Sequence, residues 1–182
     1  MSGRYVILDR DGTINVDSDE FIKSAAEWLP LPGSLEAIAM LNRHGFRVAV
    51  ISNQSGLARG LFDLAALDAI HAKMLQLATA AGGEIEAIYF CPHGPGDDCD
   101  CRKPKAGLFR RLAQDKQIDL SATFAVGDAL RDIQAARAAG ARPVLVKTGK
   151  GWQTLNDNPQ LDVPVFDNLY DAAAYIVSES RL

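Results

Sequence analysis

Tyr5-Val-Ile-Leu-Asp9-Arg-Asp11-Gly12-Thr13, near the start of the 182-residue chain, is the stretch that decides the fold. Its apolar run is typical of a buried strand, and the run ends in two acids separated by one residue. Along an extended backbone Asp9 and Asp11 point the same way, so both can address one substrate group. Gly12 lets the chain turn at once, with its amides facing a crevice. Because open α/β sheets bind ligands at their carboxyl edge, the stretch predicts a catalytic centre there.

The rest of the chain alternates between helix-like and strand-like segments joined by short loops. Helices are predicted at residues 34–44, 63–81, 107–116, 130–139 and 168–178, and further strands at 46–51, 85–90, 123–126, 143–146 and 165–166. Ser34 is the predicted N-cap of the first helix, and residues 14–32 are expected to run over the mouth of the site. The alternation implies a three-layer α/β sandwich with a central parallel sheet. The spacing of the motifs leaves no room for a separate cap domain.

Length and composition predict one ordinary globular domain spanning residues 1–182. Hydrophobic residues make up 48% of the chain and charged residues 23%, without repeats or low-complexity segments. The net charge of −4 argues against a nucleic-acid partner, because binding a phosphate backbone needs a surplus of Lys and Arg. No basic leader precedes an apolar run, and no apolar stretch approaches the roughly 20 residues that a membrane helix needs. We therefore expect a cytoplasmic protein without a membrane partner, and nothing demands more than a monomer.

Polar residues follow three of the predicted strands at one edge of the sheet. Asp9 and Asp11 end the first strand, Ser52 follows the second, and Asp128 follows a later one. One acid can act as nucleophile while its neighbour donates and takes the proton. Asp128 adds an oxygen ligand of the kind that Mg²⁺ prefers, while Ser52 and Lys103 can bind and neutralise a phosphoryl group. Each residue alone could be an ordinary turn or surface charge, but their order at successive strand ends predicts phosphoryl transfer.

All three cysteines fall within residues 91–101, in a loop dense in glycine, proline and aspartate. Four side chains of this loop are suited to zinc: Cys91, His93, Cys99 and Cys101. Three thiolates and one imidazole complete a closed tetrahedral site, so the predicted Zn²⁺ is structural and leaves no position for substrate. Free thiols or a strained Cys99–Cys101 bridge are the alternatives. His44 and His71 have no ligand partners nearby in sequence and are predicted at the surface.

Four ordered motifs resemble those of the haloacid dehalogenase superfamily of phosphatases. They are Asp9-Arg-Asp11-Gly-Thr13, Ser52-Asn53, Lys103-Pro104 and Gly127-Asp128-Ala-Leu-Arg-Asp132. The resemblance implies a Rossmann-like fold and a phosphatase in which Asp9 forms an aspartyl-phosphate and binds Mg²⁺. It also implies that Asp11 is the general acid and base and contributes its backbone carbonyl to the Mg²⁺, for which Asp128 is a further ligand. Ser52 and Lys103 become phosphate stabilisers, and Asp132 a supporting neighbour rather than a ligand.

The zinc loop and Arg102 narrow the resemblance to a subgroup that contains phosphatases of heptose bisphosphates and of histidinol phosphate. It implies hydrolysis of the 7-phosphate of D-glycero-D-manno-heptose 1,7-bisphosphate, in the pathway that supplies heptose to the lipopolysaccharide core. The beta anomer is the expected one, although no residue fixes it. The residues carried over as substrate contacts are Asp17, Ser18, Asp19, Glu20, Asn53, Gln54, Ser55, Arg59 and Arg102. Ala129 departs from the subgroup, because many members carry Lys at that position.

Two other functions stay open at this point. A histidinol-phosphate phosphatase would bind a positively charged imidazole and would prefer acids, whereas Arg59, Arg102 and Lys105 favour a second phosphate. Arg59 and Lys105 could each equally be a solvated surface charge. A zinc-stabilised binding module whose acids hold only a regulatory metal is the alternative from another class. Residues 147–151, Lys-Thr-Gly-Lys-Gly, look suited to phosphate but lack the Walker spacing, so no nucleotide site is predicted.

Overall fold

A parallel sheet of six strands forms the centre of the computed structural model, which describes residues 3–180. The strands are β1 (Arg4–Leu8), β2 (Phe46–Asn53), β3 (Ala87–Cys91), β4 (Phe124–Gly127), β5 (Arg142–Val146) and β6 (Val165–Phe166). Their order is β3-β2-β1-β4-β5-β6, and every neighbouring pair is parallel. The chain winds outward in one direction from β1 and in the other from β4. In such sheets a crevice opens at the carboxyl ends of the two strands where the winding reverses.

Within residues 3–180 the structure has six α-helices, five of which cover the two faces of this sheet. They are α1 (Ser34–Arg43), α2 (Leu64–Ala80), α3 (Gly107–Lys116), α4 (Leu130–Ala139), α5 (Gly151–Asp157) and α6 (Leu169–Glu179). Helices α1, α2 and α6 share a buried apolar cluster with one face, and α3 and α4 share one with the other. The predicted three-layer α/β sandwich is confirmed, and no separate cap domain interrupts it in this range. None of the described helices is both long enough and apolar enough to cross a membrane.

The central strand β1 shows how the sequence produces the two layers. Its alternate side chains point to opposite faces, with Val6 and Leu8 in one core and Tyr5 and Ile7 in the other. All four are buried, as expected for a strand covered on both sides. Burying one such apolar side chain stabilises the fold by about 1.5–3 kcal/mol. Asp9 is the first residue beyond this two-sided core and therefore the first that can carry chemistry.

The structure corrects three details of the sequence prediction. Gly33, with a φ of 77°, is the N-cap of α1, and Ser34 is its first residue with no capping hydrogen bond from the side chain. Helix α5 was not predicted, because its short sequence has no apolar period and a tertiary contact holds it instead. The Thr154 hydroxyl in this helix donates to the backbone carbonyl of Asp128 at 2.9 Å. His71 is buried rather than at the surface, with its ring centroid 5.9 Å from that of Phe90.

Candidate active site

A polar crevice of about 220 Å³ opens at the carboxyl ends of β1, β2 and β4. Its walls contain Asp9, Asp11 and seven of the nine predicted substrate contacts, together with three further residues. They are Asp9, Asp11, Asp17, Ser18, Asp19, Phe21, Asn53, Ser55, Arg59, Arg102, Arg131 and Lys150. Of the predicted substrate contacts, Glu20 and Gln54 do not line this wall. The segment between β1 and α1 supplies Asp17, Ser18 and Asp19, so it does run along the mouth of the crevice as predicted.

Asp9 and Lys103 form a buried ion pair on the floor of the crevice. The Lys103 ammonium lies 2.8 Å from Asp9 Oδ1 and 2.7 Å from Asp132 Oδ1, and it donates to the Ile51 carbonyl at 2.8 Å. Burial and the nearby Asp132 charge raise the pKa of Asp9 to about 6, although Lys103 acts in the opposite direction. Burial alone would lower the pKa of Lys103, but Asp132 and Asp9 raise it above its ordinary value. Lys103 is therefore a fixed cation beside the predicted nucleophile.

Three carboxylates suit a hard cation at the switch between β1 and β4. Oxygen atoms of Asp9, Asp128 and Asp132 lie within 4.8 Å of one another. Burial raises the pKa of Asp128 well above its usual range, and the charges of Asp9 and Asp132 raise it further. The buried Oδ1 atoms of Asp128 and Asp132 both lack a hydrogen bond, but Asp132 Oδ1 is ion-paired with Lys103 at 2.7 Å and its Oδ2 accepts from the Ala129 N–H at 3.0 Å, whereas Asp128 Oδ1 has no partner of either kind. Asp9 and Asp128 thus fit Mg²⁺, which usually takes one or two carboxylates plus waters and substrate phosphate.

Glycines on two different loops enclose Asp128. Gly12, with a φ of 85°, and Gly149, with a φ of 55°, are both so close to Asp128 Oδ2 that a Cβ at either position would overlap it. The Thr148 hydroxyl donates to the Gly12 carbonyl at 2.7 Å, and the Lys150 N–H donates to Asp128 Oδ2 at 2.8 Å. The loop after β5 therefore packs directly on the loop after β1. This contact fixes one oxygen of Asp128 and leaves the other for a cation.

A set of buried donors holds the Asp11 carboxylate. Arg10, which is completely buried, donates to Asp11 Oδ1 at 2.9 Å and to Oδ2 at 3.0 Å. Asn15 donates to Oδ1 at 2.9 Å and Gln54 to Oδ2 at 3.3 Å. Burial would raise the pKa of Asp11, but the Arg10 guanidinium and the hydrogen bonds lower it below its ordinary value. The free protein thus holds Asp11 as an anion, which is the form that a general base needs.

The amides of Asn53 and Gln54 are occupied by protein partners. Gln54 donates to Ser52 Oγ at 3.2 Å and accepts from Arg10 at 3.2 Å, and it is buried behind the pocket wall. Asn53 lines the pocket, but its amide accepts from the Lys103 backbone N–H at 3.0 Å and donates to the Lys103 carbonyl at 3.1 Å. Asn53 therefore ties the end of β2 to the loop that carries Lys103. The sequence predicts both as substrate contacts because it cannot show which partners an amide finds.

The predicted zinc ligands converge beside this loop. Cys91 Sγ lies 3.0 Å from Cys101 Sγ and 3.9 Å from Cys99 Sγ, and His93 Nδ1 lies 3.5 and 3.2 Å from the sulfurs of Cys91 and Cys101. Two sulfur ligands of one tetrahedral zinc ion are about 3.8 Å apart, which the Cys91–Cys99 pair matches, whereas the sulfurs of Cys91 and Cys101 are closer together than a bound ion would hold them. The three cysteines are free thiols here, without a disulfide. Arg102 Nη1 donates to the His93 carbonyl at 3.3 Å, which couples the cluster to the crevice.

Three residues that the sequence interpretation missed also line the crevice: Arg131, Lys150 and Phe21. Burial and the nearby charges of Arg131 and Arg59 lower the pKa of Arg102, and all three arginines line the same crevice. Arg131 forms no ion pair within residues 3–180. A signal for Lys150 was present, because it lies in a phosphate-friendly loop that follows another strand. Four cations thus form the rim of the crevice above its acidic floor: Arg59, Arg102, Arg131 and Lys150. This arrangement suits an anion that is bound through a metal.

Comparison with known proteins agrees with this geometry. A family model described as HAD-hydrolase-like matches residues 100–172. The chain is 50% identical over 177 residues, 97% of this chain and 99% of the relative, to D-glycero-beta-D-manno-heptose-1,7-bisphosphate 7-phosphatase of Pseudomonas aeruginosa. It resembles the crystal structure of the D,D-heptose 1,7-bisphosphate phosphatase of Bordetella bronchiseptica complexed with magnesium and phosphate, with a TM-score of 0.94, 49% identity and coverage of 97% and 99%. The corresponding structure from Burkholderia thailandensis gives a TM-score of 0.77, 45% identity and coverage of 96% and 99%.

The protein belongs to the class of haloacid dehalogenase-like hydrolases. This class is defined by the sheet order, by the acids at the ends of β1 and β4 and by the family match. The sequence identity of about half to the relatives above, over nearly the whole chain, then narrows this class to one family. The chain belongs to the family of D-glycero-beta-D-manno-heptose-1,7-bisphosphate 7-phosphatases. The resemblance predicted from the four motifs and the zinc loop is thereby confirmed.

Proposed function

We propose that this protein is a Mg²⁺-dependent phosphatase that hydrolyses the 7-phosphate of D-glycero-β-D-manno-heptose 1,7-bisphosphate, in the supply of heptose to the lipopolysaccharide core. The observation that carries the proposal is the group Asp9, Lys103 and Asp128 at the switch between β1 and β4, below a rim of arginines. The relatives named for this activity cover nearly the whole chain, which supports the choice of substrate.

The first step transfers the phosphoryl group to the protein. An oxygen of Asp9 attacks phosphorus, the bond from phosphorus to the sugar oxygen breaks, and Asp11 gives its proton to that oxygen. A dianionic phosphate entering the site raises the pKa of Asp11, so the carboxylate takes up a proton from solvent as the substrate binds and can then give it to the leaving oxygen. The Lys103 ammonium, 2.8 Å from Asp9, offsets negative charge on the transferring group. Ser52 is the residue predicted to donate its hydroxyl to one of the phosphoryl oxygens, although it is buried and does not line the crevice.

The second step returns the protein to its starting state. Asp11 takes a proton from a water molecule whose oxygen attacks phosphorus, and the bond between phosphorus and Asp9 breaks. Arg10, Asn15 and Gln54 hold Asp11 in the anionic form that this step requires. Both steps therefore use one carboxyl group in its two protonation states. Release of inorganic phosphate, and of the proton that Asp11 then holds, restores the anionic carboxylate and completes the turnover.

Two metal ions complete the proposal. Mg²⁺ is held by Asp9, Asp128 and the backbone carbonyl of Asp11, and it supplies positive charge that lets an anionic nucleophile approach an anionic phosphate. The unpartnered, buried Oδ1 of Asp128 supports this assignment. The cluster of Cys91, His93, Cys99 and Cys101 would hold Zn²⁺ with all four ligands, and the ion would have a structural role because no position would be left for substrate.

Histidinol phosphate is the second candidate substrate, and the crevice disfavours it. A protonated imidazole would have to sit beside Arg59, Arg102 and Arg131, whereas a second phosphate would neutralise them. Asp17 and Asp19 lie on the same wall, so one side of the rim retains acids. The single domain spanning residues 1–182, the monomeric state and the cytoplasmic location stay predictions of the sequence.

Steady-state kinetics on heptose 1,7-bisphosphate and histidinol phosphate, with Mg²⁺ present, test the proposal. We expect the higher kcat/KM for the bisphosphate, and a higher value for histidinol phosphate would contradict the substrate assignment. The isosteric Asp9→Asn variant removes the nucleophile while preserving shape, and we expect turnover to fall by roughly 10³-fold or more. Equal phosphate release by wild type and Asp9→Asn would instead support a binding module without catalysis.

A further inference from the structure

Phe21 is an unusual residue on the wall of the crevice. Its φ is 68°, in the left-handed region where, among residues 3–180, only one other residue besides glycines lies. For a bulky side chain this conformation costs on the order of 1–2 kcal/mol, and glycine or asparagine would adopt it at little cost. Strained residues of this kind persist where the surrounding structure uses them, often at ligand clamps. A favourable contact of the aromatic ring must therefore offset the cost of this backbone conformation.

Packing of the Phe21 ring in a hydrophobic core does not provide this contact. Phe21 is half-buried and belongs to neither apolar core of the described residues. Its ring instead faces the pocket and the guanidinium of Arg59, whose central carbon lies 5.6 Å from the ring centroid. That distance is within the range of a cation–π contact. The ring of Phe21 therefore packs against Arg59 at the rim of the crevice.

Arg59 has few other constraints on its position. It is exposed, it lies on the turn that follows β2, and it forms no ion pair within residues 3–180. Its charge contributes to lowering the pKa of Arg102, so Arg59 is near the other rim cations. A long arginine side chain loses considerable rotamer freedom when it binds a phosphate, and a partner that orders it beforehand reduces this cost. Phe21 is the only such partner that the described residues provide.

We infer that Phe21 is a positioning residue for substrate selection: its strained backbone holds the ring under Arg59, which is thereby ordered to meet the second phosphate of a sugar bisphosphate. This inference rests on the proposed function and deepens it. It assigns to the segment between β1 and α1 a part in choosing between bisphosphates and monophosphates. Phe21 does not touch the reacting phosphate, so its effect is confined to binding.

The test compares heptose 1,7-bisphosphate with heptose 7-phosphate, which lacks the second phosphate, in wild type, Phe21→Asn and Phe21→Trp. Asparagine tolerates the left-handed backbone but has no ring, and tryptophan retains an aromatic face. We expect Phe21→Asn to raise KM for the bisphosphate about two- to fivefold with kcat unchanged, and to leave the monophosphate unaffected. Phe21→Trp should retain the wild-type KM. Urea unfolding should show Phe21→Asn to be at least as stable as wild type, because the backbone strain is relieved.

A double-mutant cycle with Arg59→Gln completes the test. In the Arg59→Gln background, Phe21→Asn should change KM by less than about twofold, since the partner of the ring is already absent. Equal effects on the bisphosphate and the monophosphate, or independent effects of the two substitutions, would overturn the inference. A wild type that does not prefer the bisphosphate would overturn the proposed function. A wild type that prefers it while Phe21→Asn has no effect would overturn only the role of Phe21.

Discussion

Lys103 illustrates how single residues set the electrostatics of this site. It is 3% exposed and satisfied by two carboxylates and one carbonyl. Removing one member of such a buried group costs about 3–5 kcal/mol, because the remaining charge is left without compensation. Asp132 therefore acts through Lys103, which it holds beside Asp9. This arrangement explains why an acid one helical turn beyond Asp128 belongs to the site without being needed as a metal ligand.

At the same scale, His71 should make the stability of the protein depend on pH. Burial, and to a smaller extent the Arg10 guanidinium, lower the pKa of His71 from 6.5 to about 4, while Asp68 and Asp11 act in the opposite direction. Between pH 4 and pH 6.5, His71 therefore binds fewer protons in the folded protein than in the unfolded chain. The stabilising contribution is complete above pH 6.5 and is lost as the pH falls towards 4.

We expect this contribution to be about 1–3 kcal/mol, measured as the difference in free energy of unfolding in urea between pH 7 and pH 4.5. His71→Gln should lose less stability than wild type over this interval, whatever its stability at pH 7. His44→Gln, at an exposed position, is the matched control and should follow the wild type. An identical pH dependence in His71→Gln and wild type would show that His71 does not titrate in this way.

At the scale of elements, the packing of the loop after β5 on the loop after β1 should be essential for metal binding. In Gly149→Ala the new Cβ would overlap Asp128 Oδ2 and the Gly12 backbone, which forces the loops apart. We expect kcat/KM to fall by at least about 100-fold and the Mg²⁺ concentration that gives half-maximal activity to rise, as measured by titration of activity with Mg²⁺.

The control for this prediction is Gly140→Ala at the end of α4. Gly140 has a φ of 79°, but nothing lies within 4 Å of a Cβ added there. The same backbone strain without the overlap should cost about 1–2 kcal/mol of stability and leave kcat/KM unchanged. Similar activity losses in the two variants would mean that backbone strain, rather than contact with Asp128, is responsible.

The loop between β3 and α3 should depend on zinc for its shape. Cys99→Ser removes one of the four predicted ligands. We expect elemental analysis to find stoichiometric zinc in the purified wild type and to find it lost in the variant. Because Arg102 contacts His93 and Lys103 follows directly, Tm and kcat/KM should both fall, with kcat/KM decreasing about tenfold or more. Asp98→Asn, an exposed change in the same loop, should preserve zinc content and activity. Wild type without zinc, or a fully active Cys99→Ser, would argue against the structural role.

At the scale of the whole molecule, charge is unevenly distributed. The net charge is −4, yet Arg59, Arg102, Arg131 and Lys150 gather around one crevice. Such a focused patch attracts anions against the overall charge of the protein, and salt screens this attraction over about 8–10 Å. The molecule can therefore bind a multiply charged anion while remaining acidic overall.

This distribution predicts that salt weakens binding of the bisphosphate more than binding of the monophosphate. Raising NaCl from about 0.05 to about 0.5 M at constant Mg²⁺ should increase KM for heptose 1,7-bisphosphate on the order of three- to tenfold. The increase for heptose 7-phosphate should be clearly smaller, because it lacks the second charged group that meets the rim. Steady-state kinetics at both salt concentrations measure the difference. Equal increases for both substrates would show that the rim cations do not contact the second phosphate.

By itself, the sequence determined the order of the elements and the chemistry of the floor of the crevice. Apolar runs buried on both faces must end where the sheet ends, so Asp9 and Asp128 could be assigned to strand ends from local pattern alone. The clustering of Cys91, His93, Cys99 and Cys101 could be predicted from their types and close spacing, while the zinc ion itself stays a prediction. These features depend on short-range periodicity and on ligand chemistry, both of which are visible in one dimension.

Only the tertiary structure decided which side chains form the rim and which face inward. Arg131, Lys150 and Phe21 meet at one crevice because β4, β5 and β1 end at the same edge, although the residues are far apart along the chain. Asn53 and Gln54 find protein partners for their amides, because a buried amide must satisfy its hydrogen bonds with whatever group the packing brings near. Register between distant strands and competition for buried hydrogen bonds are properties of the packed molecule, which is why the pattern of residues could not reveal them.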